Sequence, residues 1–305
     1  MKVLVLGAGA TGGYFGGRLL EKGEDVTFLV REKRENQLKE EGLVIKSKHG
    51  DAHLRPRTIR AGSGDEPFDV VFIATKAYHL KEALEAVEPF VREYTTVIPL
   101  LNGIEHLDEM RRFFSKDQVI GGLCFIESTL NEKGHIIQTS ETHELAYGEW
   151  SGRETDRVKK LSETFSGTEA SFRLSDTIEQ DMWQKYLFIT TLSGMTSLMR
   201  SSIGPVLDTL EGRTYLQQLF EEVRLTMVEN GAPLAEGIVE KQMGLTEKLG
   251  YNMKSSMLRD IEKGLHIEAD HLQGYLLLLA ERTGVETPLL RLIYQHLKVY
   301  EKNLQ

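Results

Sequence analysis

The spacing of apolar residues divides this chain in two. Through the first part, short runs of apolar and β-branched residues alternate with stretches of helical spacing. Residues 2–6 (KVLVL), 25–30 (DVTFLV), 68–74 (FDVVFIA) and 95–101 (TTVIPLL) are near-continuous apolar runs, as strands of a parallel sheet covered on both faces require. Between them, residues 32–40 and 80–90 predict helices, and residues 43–47 and 53–59 predict a hairpin turning at His49-Gly50-Asp51. Further strands are expected over 119–125 and, as short antiparallel segments, near Ile136 and Leu145, followed by a helix over 153–165 and a short closing strand over 170–174. From about residue 176 strand-like runs disappear, and helices are expected over 177–198, 210–230, 236–249, 255–263 and 266–282. A last helix opens at Thr287-Pro288, a cap residue followed by proline at the first helical position. The pattern predicts an α/β fold: an N-terminal doubly wound domain over residues 1–175 and an all-α domain over residues 176–305.

The junction of the first strand and first helix reads Gly7-Ala8-Gly9-Ala10-Thr11-Gly12. Gly7 permits a tight turn, Gly9 lets backbone approach a pyrophosphate, and Gly12 lets the helix pack closely on the strand. The helix start adds free N–H groups and a positive dipole end, so residues 1–175 are expected to form a Rossmann-type dinucleotide-binding domain. The second strand ends at Arg31, where an NAD-specific protein places a carboxylate on the ribose 2′-OH. A guanidinium there forks onto a 2′-phosphate instead, so NADP(H) is the expected cofactor. Two further strand ends carry Lys76 and Asn102, which read singly as turn or cap residues and together as ligands at the carboxyl edge of the sheet.

Composition narrows the class. A net charge of -9 without a basic block argues against a nucleic-acid surface. Cys124 is the only cysteine, which suits a reducing cytoplasm. The first strand begins within two residues of Met1, leaving no room for a signal peptide, and the apolar run 276–280 is too short for a membrane span. The nine histidines show no metal-binding spacing; His266 and His271 are five apart and share a helix face poorly, so no metal is expected. The all-α half leaves room for a homodimer.

A cofactor domain alone does little chemistry, so the helical half is expected to supply substrate and catalytic groups across a cleft. Lys185 enters an otherwise apolar stretch (Tyr186, Leu187, Phe188, Ile189), consistent with a general acid or with a snorkelling lysine at a helix end. Ser255 and Ser256 read as helix caps or hydrogen-bonding groups, and Glu268 as an acid or a solvated face residue.

Taken together, GAGATGGYFGGRLLEKGEDV, ATKAYHL, LNGIEHL, MWQKYLF, SSMLRDIEKG and HIEADHLQGY resemble blocks of the ketopantoate reductase (2-dehydropantoate 2-reductase) family, in order and along the whole chain. The resemblance implies NADPH-dependent reduction of ketopantoate to pantoate, feeding pantothenate and coenzyme A synthesis, with a small 2-oxo acid as partner. It makes Gly7 to Gly12 and Arg31 the pyrophosphate and 2′-phosphate binders. Lys76 and Asn102 would line the cofactor, with Asn102 also near the substrate. Lys185 matches the family's general acid, Glu268 the acid that holds the cofactor ribose and orients the lysine, and Ser256 a substrate-binding serine. A backbone contact to the cofactor is implied within residues 126–128. The chain departs from the family at Ile189, Ser193 and Ile203, where asparagines usually stand; Ser193 is the one of these that keeps a hydrogen-bonding group for substrate. Two alternatives follow: the same chemistry on a less polar 2-oxo acid, or a non-catalytic NADPH-binding regulatory protein.

Overall fold

The computed structural model describes residues 1–64 and 66–304. They form two compact units: the described residues of 1–101 with 106–178, and residues 102–105 with 179–304.

The first unit contains two five-stranded sheets. One is parallel, in the order β5 (Arg57–Ile59), β2 (Asp25–Leu29), β1 (Lys2–Leu6), β6 (Val70–Ile73), β7 (Thr96–Pro99). The chain enters this sheet at β1, steps to β2, and returns past β1 to β6, so a crevice opens at the carboxyl ends of β1 and β6. The helices α1 (Ala10–Lys22), α2 (Glu32–Glu41), α3 (Leu80–Val87) and α4 (Glu105–Phe113) follow strands or loops of this half. The second sheet holds β4 (Ala52–Leu54), β3 (Leu43–Ser47), β9 (Ile136–Gly148) and β10 (Ser171–Leu174), with β8 (Gly121–Leu130) antiparallel on β9. The helix α5 (Asp156–Phe165) lies between β9 and β10 in the chain.

Helix α1 is buried from Gly12 to Leu19 because it contacts both sheets. A Cβ at Gly13 would stand 2.7 Å from Ile136 Cδ1, and one at Gly17 would stand 2.7 Å from Ile45 Cδ1. Gly13 and Gly17 therefore answer to the second sheet.

Two expectations about strands change. The run 53–59 is not one strand. Ala52–Leu54 pairs with β3, while Arg57–Ile59 crosses to pair with β2. Pro56 between them has no N–H for a ladder, so the chain can switch sheets there. The segments near Ile136 and Leu145 are one strand of 13 residues, β9, which pairs with β8, β3 and β10.

The second unit is helical: α6 (Ile178–Met199), α7 (Ile203–Asp208), α8 (Gly212–Glu229), α9 (Ile238–Glu247), α10 (Ser256–Glu262), α11 (Tyr275–Thr283) and α12 (Pro288–Lys302), with the first residue of α6 counted in the other unit. Residues Asp270–Gly274 form a π-helical turn leading into α11. Thr287 precedes Pro288 as expected, but its side chain makes no cap; the Glu222 carboxylate accepts from the Leu289 and Leu290 N–H groups at 3.0 Å each. None of the described helices is long and apolar enough to cross a membrane.

An ion pair ties β9 to α5. Glu149 is 7% exposed and accepts from Arg157 Nε at 2.6 Å, Arg157 Nη2 at 2.5 Å and Thr155 Oγ1 at 2.5 Å. Burial alone would raise the carboxyl pKa, but the hydrogen bonds and charge of Arg157 and Thr155 outweigh it and hold the group below its ordinary range. A depressed carboxylate stabilises the fold fully above its unfolded pKa, about 4.3, and loses that contribution as pH falls through its lower folded value. Urea unfolding of the wild type and Glu149→Gln from pH 3 to 7 should therefore show a stability gap that is largest at neutral pH and closes in acid. Arg157→Met should cost about 3–5 kcal/mol at pH 7, since it leaves the carboxylate buried and unpaired.

Candidate active site and cofactor cradle

In the first unit the site is set by strand register. Leu6 pairs with Leu29 and with Ile73, and Ile73 pairs with Pro99, so four strands end level with one another. The ladder continues one residue further: Gly7 N–H donates to Leu29 O, Ala74 N–H to Leu6 O, and Leu100 N–H to Ile73 O, at 2.8–3.1 Å. The segments beginning Gly7, Val30, Ala74 and Leu100 therefore leave the sheet at one edge.

The glycine turn fits a dinucleotide on its own geometry. Gly7 has φ 97°, a left-handed conformation that suits glycine. A Cβ on Gly12 would lie 2.3 Å from Gly7 O and 2.7 Å from Ala74 Cβ, so the helix can approach the strand only as glycine. A Cβ on Gly9 would meet nothing within 4 Å; the space above it is open, as a backbone approach by phosphate needs. Gly9 is also the N-cap of α1, without a side-chain cap, and the first turn holds no acidic residue. The N–H groups of Ala10, Thr11 and Gly12 are thus offered to an anion.

Arg31 is exposed as the N-cap of α2, and its Nη2 meets the Glu82 carboxylate on α3 at 2.6 Å. Both partners are more than half exposed, so the pair contributes only about 0–1 kcal/mol and yields readily to a phosphate. Arg34, not singled out from sequence, donates from Nε to Ala8 O at 3.0 Å and from Nη1 to Gly134 O at 2.8 Å. It fastens the glycine turn from beneath. Burial lowers the Arg34 pKa, opposed by the charge of Glu41. Lys76 is exposed just past β6, capping the turn Ala77–His79. In β8 a bulge falls between Ile126 and Ser128, and the Glu127 N–H is taken by Ser140 Oγ at 2.8 Å.

The remaining candidates belong to the second unit. Lys185 lies in the second turn of α6 and is 7% exposed. Its neighbour Tyr186 donates to Leu272 O at 2.5 Å, and Gln273 Nε2 donates to Thr190 O at 3.2 Å and Ser193 Oγ at 3.0 Å. A π turn breaks the regular helical ladder, and Tyr186 supplies one of the missing partners. Burial pushes the Tyr186 hydroxyl pKa well above its ordinary value. These bonds fasten α6 to the segment that follows Glu268. Glu268 is half-buried immediately before that helix, and its carbonyl accepts the Leu272 N–H at 3.0 Å.

The serine pair divides its work. Ser255 caps α10 by accepting from Leu258 N–H at 3.1 Å and shares a hydrogen bond with Thr196 Oγ1 at 2.8 Å, while Ser256 is exposed. Ser193, expected to face substrate, is 4% exposed and its hydroxyl is used by Gln273; in this arrangement it serves the core. Ile203 is fully buried at the start of α7. Of the three departures from the family's asparagines, only Ile189 keeps appreciable exposure. Asn102 is half-buried in a loop counted with this unit, and its carbonyl lies 2.7 Å from His271 Nε2. Among the described residues, no group of histidine, cysteine and carboxylate side chains could hold a metal ion.

Comparison with known proteins places this geometry. The family profile described as ketopantoate reductase PanE/ApbA matches residues 3–152, and its C-terminal counterpart matches residues 177–301. The chain is 47% identical over 301 residues to the uncharacterized oxidoreductase YkpB of Bacillus subtilis, covering 99% of each chain. The crystal structure of a 2-dehydropantoate 2-reductase from Geobacter metallireducens superposes with a TM-score of 0.88 at 26% identity, covering 98% of this chain and 99% of that one. A D-mandelate dehydrogenase in ternary complex with NADH and anilino(oxo)acetate shares the fold, with a TM-score of 0.90 at 20% identity over 100% and 99% of the two chains.

The contrast between two glycines separates folding from cofactor binding. Gly9→Ala should keep stability within about 1 kcal/mol of wild type, since alanine is only a weaker cap. It should weaken NADPH binding by about tenfold or more, equivalent to about 1.4 kcal/mol. Gly12→Ala should lower stability itself by about 1–3 kcal/mol. Thermal melts paired with fluorescence titration of NADPH read both effects.

Proposed function

Because the chain belongs to the ketopantoate reductase family of NADP-dependent oxidoreductases, we propose that it reduces a 2-oxo acid to the 2-hydroxy acid, with ketopantoate as the family's default substrate. The observation that carries this reading is Lys185, a lysine only 7% exposed on α6. Lysine is almost never that buried unless it is paired or put to use.

In this reading the glycine turn and Arg31 hold the pyrophosphate and 2′-phosphate, while Lys76, Asn102 and Glu268 hold the nicotinamide side of the cofactor. When bound, the reduced nicotinamide supplies the hydrogen and two electrons that reduce the keto carbon. Lys185 donates a proton to the keto oxygen, and its charge stabilises that oxygen as it becomes negative. Glu268 orients the ammonium. The exposed hydroxyl of Ser256 receives the substrate carboxylate.

Ile189 supports a second reading, in which the same machinery acts on a less polar 2-oxo acid. It lies four residues after Lys185, on the same helix face and half-exposed. An amide there would add a charge-assisted hydrogen bond to the substrate carboxylate, about 1.5–3 kcal/mol. Isoleucine offers apolar contact instead.

Initial rates of NADPH oxidation test both readings. Lys185→Ala should lower kcat/KM by about 10²–10⁴-fold while leaving NADPH affinity nearly intact; near-wild-type turnover would remove Lys185 from the chemistry. Ile189→Asn should raise kcat/KM for ketopantoate about tenfold relative to an apolar 2-oxo acid. No change in that ratio would show that position 189 does not select the substrate.

A further inference from the structure

His271 sits in the π turn between Glu268 and α11, and it is buried. Its Nε2 is 2.7 Å from the Asn102 carbonyl, and its Nδ1 is 2.9 Å from Glu105 Oε2. The loop fits closely against the ring: Gly103 has φ 76°, and a Cβ there would lie 3.3 Å from His271 Nε2 and 3.2 Å from Leu272 Cδ2. A carbonyl can only accept, so Nε2 must carry a proton. An ionised carboxylate can only accept as well. The ring and Glu105 therefore hold one proton more than a neutral imidazole and a free carboxylate would.

We propose that His271 is a positioning residue: the proton it shares with Glu105 clamps residues 102–105 and holds Asn102 at the reacting centre. The proposal rests on the role given to Asn102 above. Losing the shared proton replaces a hydrogen bond with two facing lone pairs, and the loop is released. The segment beside the ring carries further titratable groups: α4 continues from Glu105 with a buried His106 and with the ion pairs Asp108–Arg111 and Glu109–Arg112. Tyr186 interacts electrostatically with Glu105 and Tyr275, and burial pushes its hydroxyl well above the ordinary value, so it stays neutral. Asp270 is engaged with Tyr294 at 2.7 Å and Lys298 at 2.9 Å. Glu268 precedes the ring by three residues on its own segment, and Lys185 adjoins Tyr186 on α6.

The test combines ring-nitrogen NMR of the full-length protein, labelled at histidine, with pH–rate profiles. The expected result is a doubly protonated His271 at the pH of greatest kcat, with kcat falling as the second proton leaves. Glu105→Gln can donate to a neutral ring, so it should flatten that fall. His271→Ala should lower kcat by about 10²-fold, as misplacement of a catalytic group by about 1 Å does. Should His271→Ala not fold, the NMR titration and Glu105→Gln still decide. A ring carrying one proton throughout the active range, or an unchanged profile in Glu105→Gln, would overturn the clamp. Full turnover in Asn102→Ala would instead overturn the role of Asn102, whatever the ring's protonation.

Discussion

The pairing of Leu6 with Leu29 and Ile73, and of Ile73 with Pro99, aligns four strand ends, and much of the cofactor half depends on that alignment. Parallel ladders put every carboxyl end on one side, so the residues that follow each strand are delivered to one place without any side-chain contact between them. The approach of Gly12 to the Gly7 carbonyl then fixes α1 against the sheet and leaves its first N–H groups uncapped. A single Cβ at position 12 would disturb both the packing and the placement of those N–H groups. Arg34 adds a long side chain that holds the turn through the Ala8 carbonyl.

In the helical unit an irregularity does comparable work. The π turn over Asp270–Gly274 frees backbone groups and turns side chains out of the usual helical rows. Tyr186 takes up the Leu272 carbonyl, Gln273 reaches the Thr190 carbonyl and Ser193, and His271 reaches the Asn102 loop. Lys185 and Glu268 are thereby carried on two segments bonded to each other. A buried ammonium gains from such support, because burial strips it of water and makes its surroundings decide its stability.

Much of this was legible in the chain. The glycine turn, the apolar runs of the parallel strands and the change to helical spacing near residue 176 each express a local rule, and the structure follows them. The second sheet was harder to see, because its strands pair residues far apart: β3 with β9, and β10 with β9. Pro56 was the one local sign that the run 53–59 divides. The serines could not be told apart from sequence, since Ser255 and Ser256 are chemically equal and only the helix start decides which one caps. His271 was weighed only as a metal ligand. Its partners, Asn102 and Glu105, lie 169 and 166 residues away, and no spacing rule connects them. Ser193 kept the right chemistry for substrate, yet the amide of Gln273 uses it.

Under the proposed function, Lys185 protonates a keto oxygen beside the apolar Ile189. The most direct measurement is initial-rate oxidation of NADPH by the purified protein across 2-oxo acids graded from ketopantoate to purely aliphatic side chains, repeated with NADH. Turnover with at least one of them, faster with NADPH than with NADH, is the expected result. Tight NADPH binding with no oxidation by any 2-oxo acid would contradict it, leaving a nicotinamide-binding protein whose Lys185 serves something other than reduction.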